Sequence, residues 1–404
     1  MVENKLGGIE GRPEDVFRRR LASRVRSGER PAGQAEFFGR WMTAERGEVK
    51  FSDDVFGGSV ARRQALGESF EASTTRSWGA RVTGGIYSRV VAAIEVNPSS
   101  TNTMEPKELR SKFGGVVAFP VTPFKADLSL DVEGLRKNLR LLLRHPVCAI
   151  VAAGGTGELY SLTPAEHLEV VKATVEEARG QAPVIAGVGF GQQLAVELAR
   201  HSANAGANGI LAFPPYYPNA DDEGLFEYYR AIGVATRLGL IIYSRDWANF
   251  SPAAVERLAQ IPTLVAWKDG QGDIRRYQMI KERVGDRLYW IGGAGDDLVP
   301  GYYSIGIRTY TSSIANVAPR LSVMLHERAS AGDAAALAKL MSDFVVPLYA
   351  FRTRRKGYEV SVMKAMMDVL GIAGGPVRPP LTNVTPKEME ELRAMLERWK
   401  PVLD

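Results

Sequence analysis

Lys268 closes the run Thr263-Leu264-Val265-Ala266-Trp267-Lys268-Asp269-Gly270. A short apolar run with β-branched and aromatic members reads as a buried strand. A lysine at the carboxyl end of such a strand is held partly out of water. Burial disfavours the ammonium, so the amine can be neutral and nucleophilic near neutral pH. A residue of that kind suits an enzyme that forms a Schiff base with a carbonyl. The competing reading is a lysine that snorkels to the strand end and stays solvated. Lys125, Lys137, Lys172, Lys281, Lys339, Lys356 and Lys364 fall in helical or loop stretches, and none ends an apolar run.

Other chemistry-bearing groups also follow apolar runs. Gly154-Gly155-Thr156-Gly157-Glu158 comes after the run 149–153. Its glycines expose backbone N–H groups and Thr156 adds a hydroxyl, so the turn can hold a carboxylate or phosphate. It can equally be a tight turn with no ligand, and it lacks the Gly-Lys-Ser/Thr of a Walker loop. Pro214-Pro215-Tyr216-Tyr217-Pro218 and Tyr243-Ser244-Arg245-Asp246 follow two further runs. A strand-end tyrosine can relay protons, or simply be half-buried with its hydroxyl satisfied. Arg245 can pair with a substrate carboxylate or with Asp246. The small and hydroxylic stretches Gly292-Gly293-Ala294-Gly295-Asp296-Asp297 and Thr311-Ser312-Ser313-Ile314-Ala315-Asn316 leave room for a polar ligand.

The elements that must position these groups recur regularly. Apolar runs lie at 115–119, 149–153, 184–188, 209–213, 239–243, 264–267, 288–292 and 307–311, with amphipathic stretches between them. Continuous apolar strands alternating with helices imply a parallel sheet covered on its outer face. Eight such units predict an α/β fold, a (β/α)8 TIM barrel over 104–315, with a doubly wound open sheet as the alternative. Catalytic groups then sit at the carboxyl ends of the strands, where the motifs above fall. One helix starts at Pro164, with Thr163 as N-cap and Glu166 completing a capping box. A helical C-terminal extension over 316–404 is expected to pack on the barrel, with helices at 317–329, 334–349 and 386–399, the last capped by Thr385.

Composition narrows the class. The chain has 404 residues, 45% hydrophobic, and a net charge of +5. The charge forms no basic stripe, so nucleic acid is not an expected partner. One cysteine, Cys148, excludes an intrachain disulfide. His145, His167, His201 and His326 show no metal-ligand spacing, so no metal is expected. No apolar run approaches the roughly 20 residues that span a bilayer, and no signal-peptide core is evident, so a cytoplasmic protein without a membrane partner is expected. Residues 1–103 differ from the rest, with 14 Arg against 2 Lys and little periodicity. They end in the turn-rich Asn97-Pro-Ser-Ser-Thr-Asn-Thr103, before a fresh-looking Met104. They are expected to be a poorly structured extension outside the functional fold, with a small independent domain or a partner-recruiting segment as alternatives.

Jointly, Gly-Gly-Thr-Gly-Glu, Pro-Tyr-Tyr, Ile-Ile-Tyr, Trp-Lys-Asp and Ile-Ala-Asn-Val-Ala-Pro, in that order, resemble the dihydrodipicolinate synthase and N-acetylneuraminate lyase superfamily. The resemblance covers about 108–400. It implies Schiff-base chemistry on a 2-keto acid with no cofactor. Within the superfamily the chain is most similar to the branch that dehydrates and decarboxylates 5-dehydro-4-deoxyglucarate in glucarate and galactarate breakdown. The synthases carry two adjacent threonines where this chain has Gly155 and Thr156, so their hydroxyl relay is incomplete here. The Arg245-Asp246 pair after the tyrosine looks like the dehydratase branch, although Ser244 replaces the usual Asn. The resemblance implies Lys268 as the imine-forming residue and Tyr243 as the proton carrier. Gly155 and Thr156 would bind the keto-acid carboxylate. Ser312, Ser313 and Arg245 are candidates for the distal end. It also implies a homo-oligomer, a dimer or tetramer, in which a tyrosine of the Tyr216-Tyr217 pair reaches a neighbouring site. An aldolase using the same lysine, or a silent sugar-acid-binding barrel, are the alternatives.

Overall fold

The computed structural model describes residues 104–403. The reading of residues 1–103 lies outside them. Eight parallel strands close in chain order: β1 Gly115–Ala118, β2 Val147–Ala152, β3 Val184–Val188, β4 Gly209–Ala212, β5 Gly239–Ser244, β6 Leu264–Asp269, β7 Tyr289–Gly292 and β8 Thr309–Ser312. Each apolar run is therefore a strand, and β1 pairs with β8 from Gly115↔Thr309 to Ala118↔Ser312. The strands read as unbroken apolar runs because both faces are buried. One face packs on the surrounding helices. The other fills the barrel with Val117, Val151, Ile185, Leu211, Ile241 and Ile291.

The decisive irregularity is in β6. Leu240 pairs with Leu264, but Ile241 pairs with Ala266, so Val265 is an extra residue. Val265 and Ala266 both face the barrel interior, whereas Leu264 and Trp267 belong to the outer shell. A bulge of this kind shifts the alternation of side chains by one. With it, Lys268 points inward and Trp267 packs outward, edge-on to Phe250 at 5.0 Å. An unbroken alternation from Val265 would have exchanged them.

The helix Pro106–Lys112 lies under the barrel against β5 and β6, an element the sequence pattern did not predict. It buries Leu109 completely. Gly209 makes room for this plug, since a Cβ there would stand 2.5 Å from the Leu109 Cδ2 atom. Thr163 and Thr385 cap their helices as expected; the expected box with Glu166 is present, and Glu388 completes a second one at Thr385.

Beyond β8 the chain is helical. Pro319–Ser330 follows the barrel, then Ala334–Leu340, a π turn Met341–Val345 and Val346–Arg352 run on as one rod. This rod spans 19 residues and has the length and apolarity of a spanning helix, contrary to the expectation that nothing approaches it. Its apolar side chains are used in packing: Leu337, Leu340, Phe344, Val345, Leu348 and Phe351 are buried, while Lys339 and Asp343 pair outside at 2.8 Å. The helix Tyr358–Val369, also unforeseen, carries Lys364, which is as buried as Lys268. Its ammonium meets Glu158 Oε1 at 2.5 Å and donates to the Pro376 carbonyl at 2.9 Å. Nearby, Arg378 binds Glu166 in a fork and holds that carboxyl down to about 2. These two pairs pin the C-terminal extension to the Gly155-Thr156 turn, because Glu158 ends that turn.

Truncating the plug tests the closure of the barrel floor. Leu109→Ala should lower unfolding stability by about 2–5 kcal/mol, the usual loss for a fully buried leucine. Urea melts would show a lower midpoint with an unchanged slope. A midpoint equal to the parent's would mean the plug does not support the floor.

Candidate active site

The carboxyl ends of the strands open into a cavity of about 1050 Å³ lined by Gly155, Thr156, Tyr243, Arg245, Lys268 and Ser313, among others. Every predicted site residue lines it, including Tyr217 and Ser312. Their burial and partners differ from residue to residue.

Lys268 is 3% exposed. Its Nζ donates to the Gly293 carbonyl at 2.9 Å and lies over the Tyr243 ring, 3.2 Å from its centroid. Among the described residues no carboxylate stands within ion-pair distance of it. Burial, and then the Arg245 guanidinium, push its pKa well below the usual lysine value, against a smaller pull from Asp269. The amine is thereby favoured over the ammonium. β5 and β6 place the two key groups side by side, since Tyr243 pairs with Lys268 in register.

The surroundings hold the lysine in one place. Gly293 must be a glycine, because a Cβ there would stand 2.5 Å from Lys268 Cγ. The Asp269 carboxylate accepts from the Tyr302 hydroxyl at 2.7 Å and from the N–H groups of Gln271 and Gly272, both at 3.1 Å. Tyr302 in turn accepts from the Ala294 N–H at 3.0 Å. The residue after the lysine thus fixes the loop that supplies its carbonyl partner. On the outer side, the Tyr277 hydroxyl donates to the carbonyls of Trp267 and Ile291, at 3.1 and 3.0 Å.

Tyr243 is buried, and burial raises its pKa against the opposing pull of Arg245. Arg245 Nη1 donates to the tyrosine oxygen at 2.9 Å, and its Nε lies 3.5 Å from Asp246. Arg245, a candidate for the substrate's far end, is therefore engaged with Tyr243 here. Gly155 and Thr156 are half-buried on the cavity wall, and the Thr156 hydroxyl has no partner among the described residues. Ser312 is fully buried, with its hydroxyl on Asp296 and on Ser322 Oγ at 2.8 Å. Ser313 is half-buried and accepts from Arg352 Nη1 at 3.0 Å. Tyr217 is 88% exposed at the mouth of the cavity.

Three groups were not singled out in the sequence, Asp296 standing there only within the small-residue stretch 292–297. Asp296 is fully buried, and burial raises its pKa against the Ser312 hydrogen bond. Tyr349 accepts from the Asp296 N–H at 2.7 Å and donates to its carboxylate at 3.2 Å. Arg352 follows one turn later on the same rod. The available signal was the charge run Arg352-Thr-Arg-Arg-Lys356, which closes an otherwise apolar helix. Among the described residues no cluster of three His, Cys, Asp or Glu could hold a metal ion.

A model of the dihydrodipicolinate synthetase family matches residues 112–399. The chain belongs to that family. A probable 5-dehydro-4-deoxyglucarate dehydratase of Bradyrhizobium diazoefficiens is 42% identical over 299 residues, 73% of this chain and 95% of that protein. A relative of the same description from Ralstonia nicotianae is 41% identical, over 72% and 96% of the two chains. Among solved structures, dihydrodipicolinate synthase from Oceanobacillus iheyensis superposes with a TM-score of 0.70 at 30% identity, covering 74% of this chain and 100% of its own. The Acinetobacter baumannii synthase, complexed with pyruvate, gives 0.66 at 29% identity, over 72% and 99%. Family membership makes the protein a lyase acting on a small molecule.

The pH dependence of the amine tests this geometry. Arg245→Met removes a cation that lowers the pKa of Lys268 and of Tyr243, so both should rise. The acid limb of reductive trapping with pyruvate and borohydride should move to higher pH. For every pH unit that the limb moves up, about tenfold less neutral amine remains below it. A limb that stays in place would show that Arg245 does not act on Lys268.

Proposed function

We propose that the protein dehydrates and decarboxylates 5-dehydro-4-deoxyglucarate to 2,5-dioxopentanoate, water and carbon dioxide through an imine on Lys268. The observation that carries the Schiff-base chemistry is the buried Lys268 amine, without a carboxylate partner among the described residues and facing the cavity beside Tyr243. The choice of reaction is supported by the dehydratase relatives, which match over nearly their whole length. Gly155 also fits it, since a synthase-type pair of hydroxyls is absent beside Thr156.

The Thr156 hydroxyl and the N–H groups of its turn receive the keto-acid carboxylate. The neutral amine adds to the ketone and water leaves, giving an iminium that acts as an electron sink. A proton leaves the neighbouring methylene, and the resulting enamine expels the next hydroxyl as water. The product is a conjugated iminium. The bond to the far carboxylate then breaks, its electron pair runs along the conjugated chain to nitrogen, and carbon dioxide departs. Two carbons of the chain take up protons in turn, converting the enol to an aldehyde. One water then hydrolyses the imine, returning the Lys268 amine. Tyr243 carries protons, and the guanidinium of Arg245 on its oxygen lowers the cost of the phenolate. Ser313 lies where the far carboxylate is received, and Ser312 supports that wall through Asp296. The exposed pair Tyr216 and Tyr217 suits the oligomer contact implied by the family resemblance.

Carbon NMR of the reaction with 5-dehydro-4-deoxyglucarate tests the assignment. Carbon dioxide with 2,5-dioxopentanoate is expected. Pyruvate with tartronate semialdehyde would make the protein an aldolase, and unchanged substrate would remove the proposed activity. Lys268→Met should abolish turnover with the fold intact by circular dichroism. Tyr243→Phe should lower kcat by about 100- to 10,000-fold, as for a lost proton-transfer group.

A further inference from the structure

We infer that Arg352, presented by the end of the C-terminal rod, grips the distal carboxylate and restricts the site to keto acids that end in a second carboxylate. The inference rests on the imine chemistry proposed above and adds what the far end of the cavity recognises.

Two contacts hold Arg352 still. Its guanidinium stacks over the Tyr349 ring, 4.6 Å from the centroid, and Nη1 donates to Ser313 Oγ at 3.0 Å. Tyr349 is itself locked to the loop after β7 through both the N–H and the carboxylate of Asp296. The rod therefore delivers one cation to the wall formed by the ends of β7 and β8. A guanidinium has five N–H donors, and this one uses a single donor on Ser313. Among the described residues no carboxylate lies within ion-pair distance of it. Its neighbour Arg354, by contrast, is paired with Glu391 at 2.8 Å.

The other charges of the cavity leave this role open. Arg245 is committed to Tyr243 and Asp246. Arg355 and Lys356 reach the cavity from exposed positions, where water competes for any anion. Glu359 lines the same mouth and is also exposed. Asp296 is buried, and its carboxylate is taken up by the Ser312 and Tyr349 hydroxyls and the Ser313 N–H. An anchored fork with free donors matches a carboxylate in both shape and charge. A hydroxymethyl end would leave those donors without an acceptor.

The bond between this carboxylate and the chain is the one that breaks. An ion pair stabilises the bound anion more than neutral carbon dioxide. Arg352 therefore acts in recognition and is not expected to speed carbon dioxide release. Its loss belongs in KM.

The test compares two substrates that share the keto end, 5-dehydro-4-deoxyglucarate and the monocarboxylate 2-dehydro-3-deoxygluconate, with pyruvate trapping by borohydride as the reference. Arg352→Met should raise KM for the dicarboxylate about 10- to 100-fold, the range for a lost hydrogen bond to a charged group. Its kcat should hold or rise. Weak competition by the monocarboxylate and the rate of pyruvate trapping should both stay as in the parent. Arg352→Lys, which keeps the charge and loses the fork, should recover part of the KM. An unchanged KM in Arg352→Met, or an equal loss of pyruvate trapping, would overturn the inference while leaving the imine chemistry in place. A parent protein that traps pyruvate but ignores the dicarboxylate would overturn the dehydratase reading, and this inference with it.

Discussion

A primary amine kept out of water without a counter-charge is the constraint on which the rest of this structure depends. Lys268 is buried as deeply as Lys364, yet only Lys364 has a carboxylate beside it. An unpaired buried ammonium is so costly that the group sheds its proton instead. Burial lowers the Lys364 pKa too, but there the Glu158 carboxylate opposes it and holds the ammonium in an ion pair. The absence of such a pair, reinforced by the nearby Arg245, lowers the Lys268 pKa and favours the neutral amine that the proposed imine chemistry needs. In the proposed function the same residue type thus takes opposite roles, separated by one neighbouring carboxylate.

Keeping that amine in place involves every layer of the fold. The bulge at Val265 turns it into the barrel. Asp269 and Tyr302 hold the loop whose carbonyl it touches, and Tyr277 ties the ends of β6 and β7 from outside. The plug helix closes the floor below the lysine by burying Leu109 against β5 and β6. The C-terminal helices are part of the same device. They pin the Gly155-Thr156 turn through Glu158 and deliver Arg352 to the opposite wall.

Much of this was legible in the sequence, for identifiable reasons. Parallel strands buried on both faces leave long apolar runs, so all eight could be read. Capping boxes are local, so Thr163 and Thr385 declared their helices. Lys268 was visible because it ends such a run, although the bulge that aims it depends on register with β5 and leaves no local trace. The plug helix buries a single leucine in seven residues, too few for a periodic signal. Glu158–Lys364 and Arg352–Ser313 join residues far apart in the chain, and no spacing rule links them. Arg245 and Ser312, named as candidates for the distal end, line the cavity, but their partners, Tyr243 and Asp296, emerge only in three dimensions.

The central claim is that the unpaired buried lysine, and not the paired one, forms the imine. Reducing the protein with borohydride in the presence of pyruvate and mapping the modified peptide tests it most directly. The account predicts a single adduct, on Lys268. An adduct on Lys364, or none on Lys268, would contradict it.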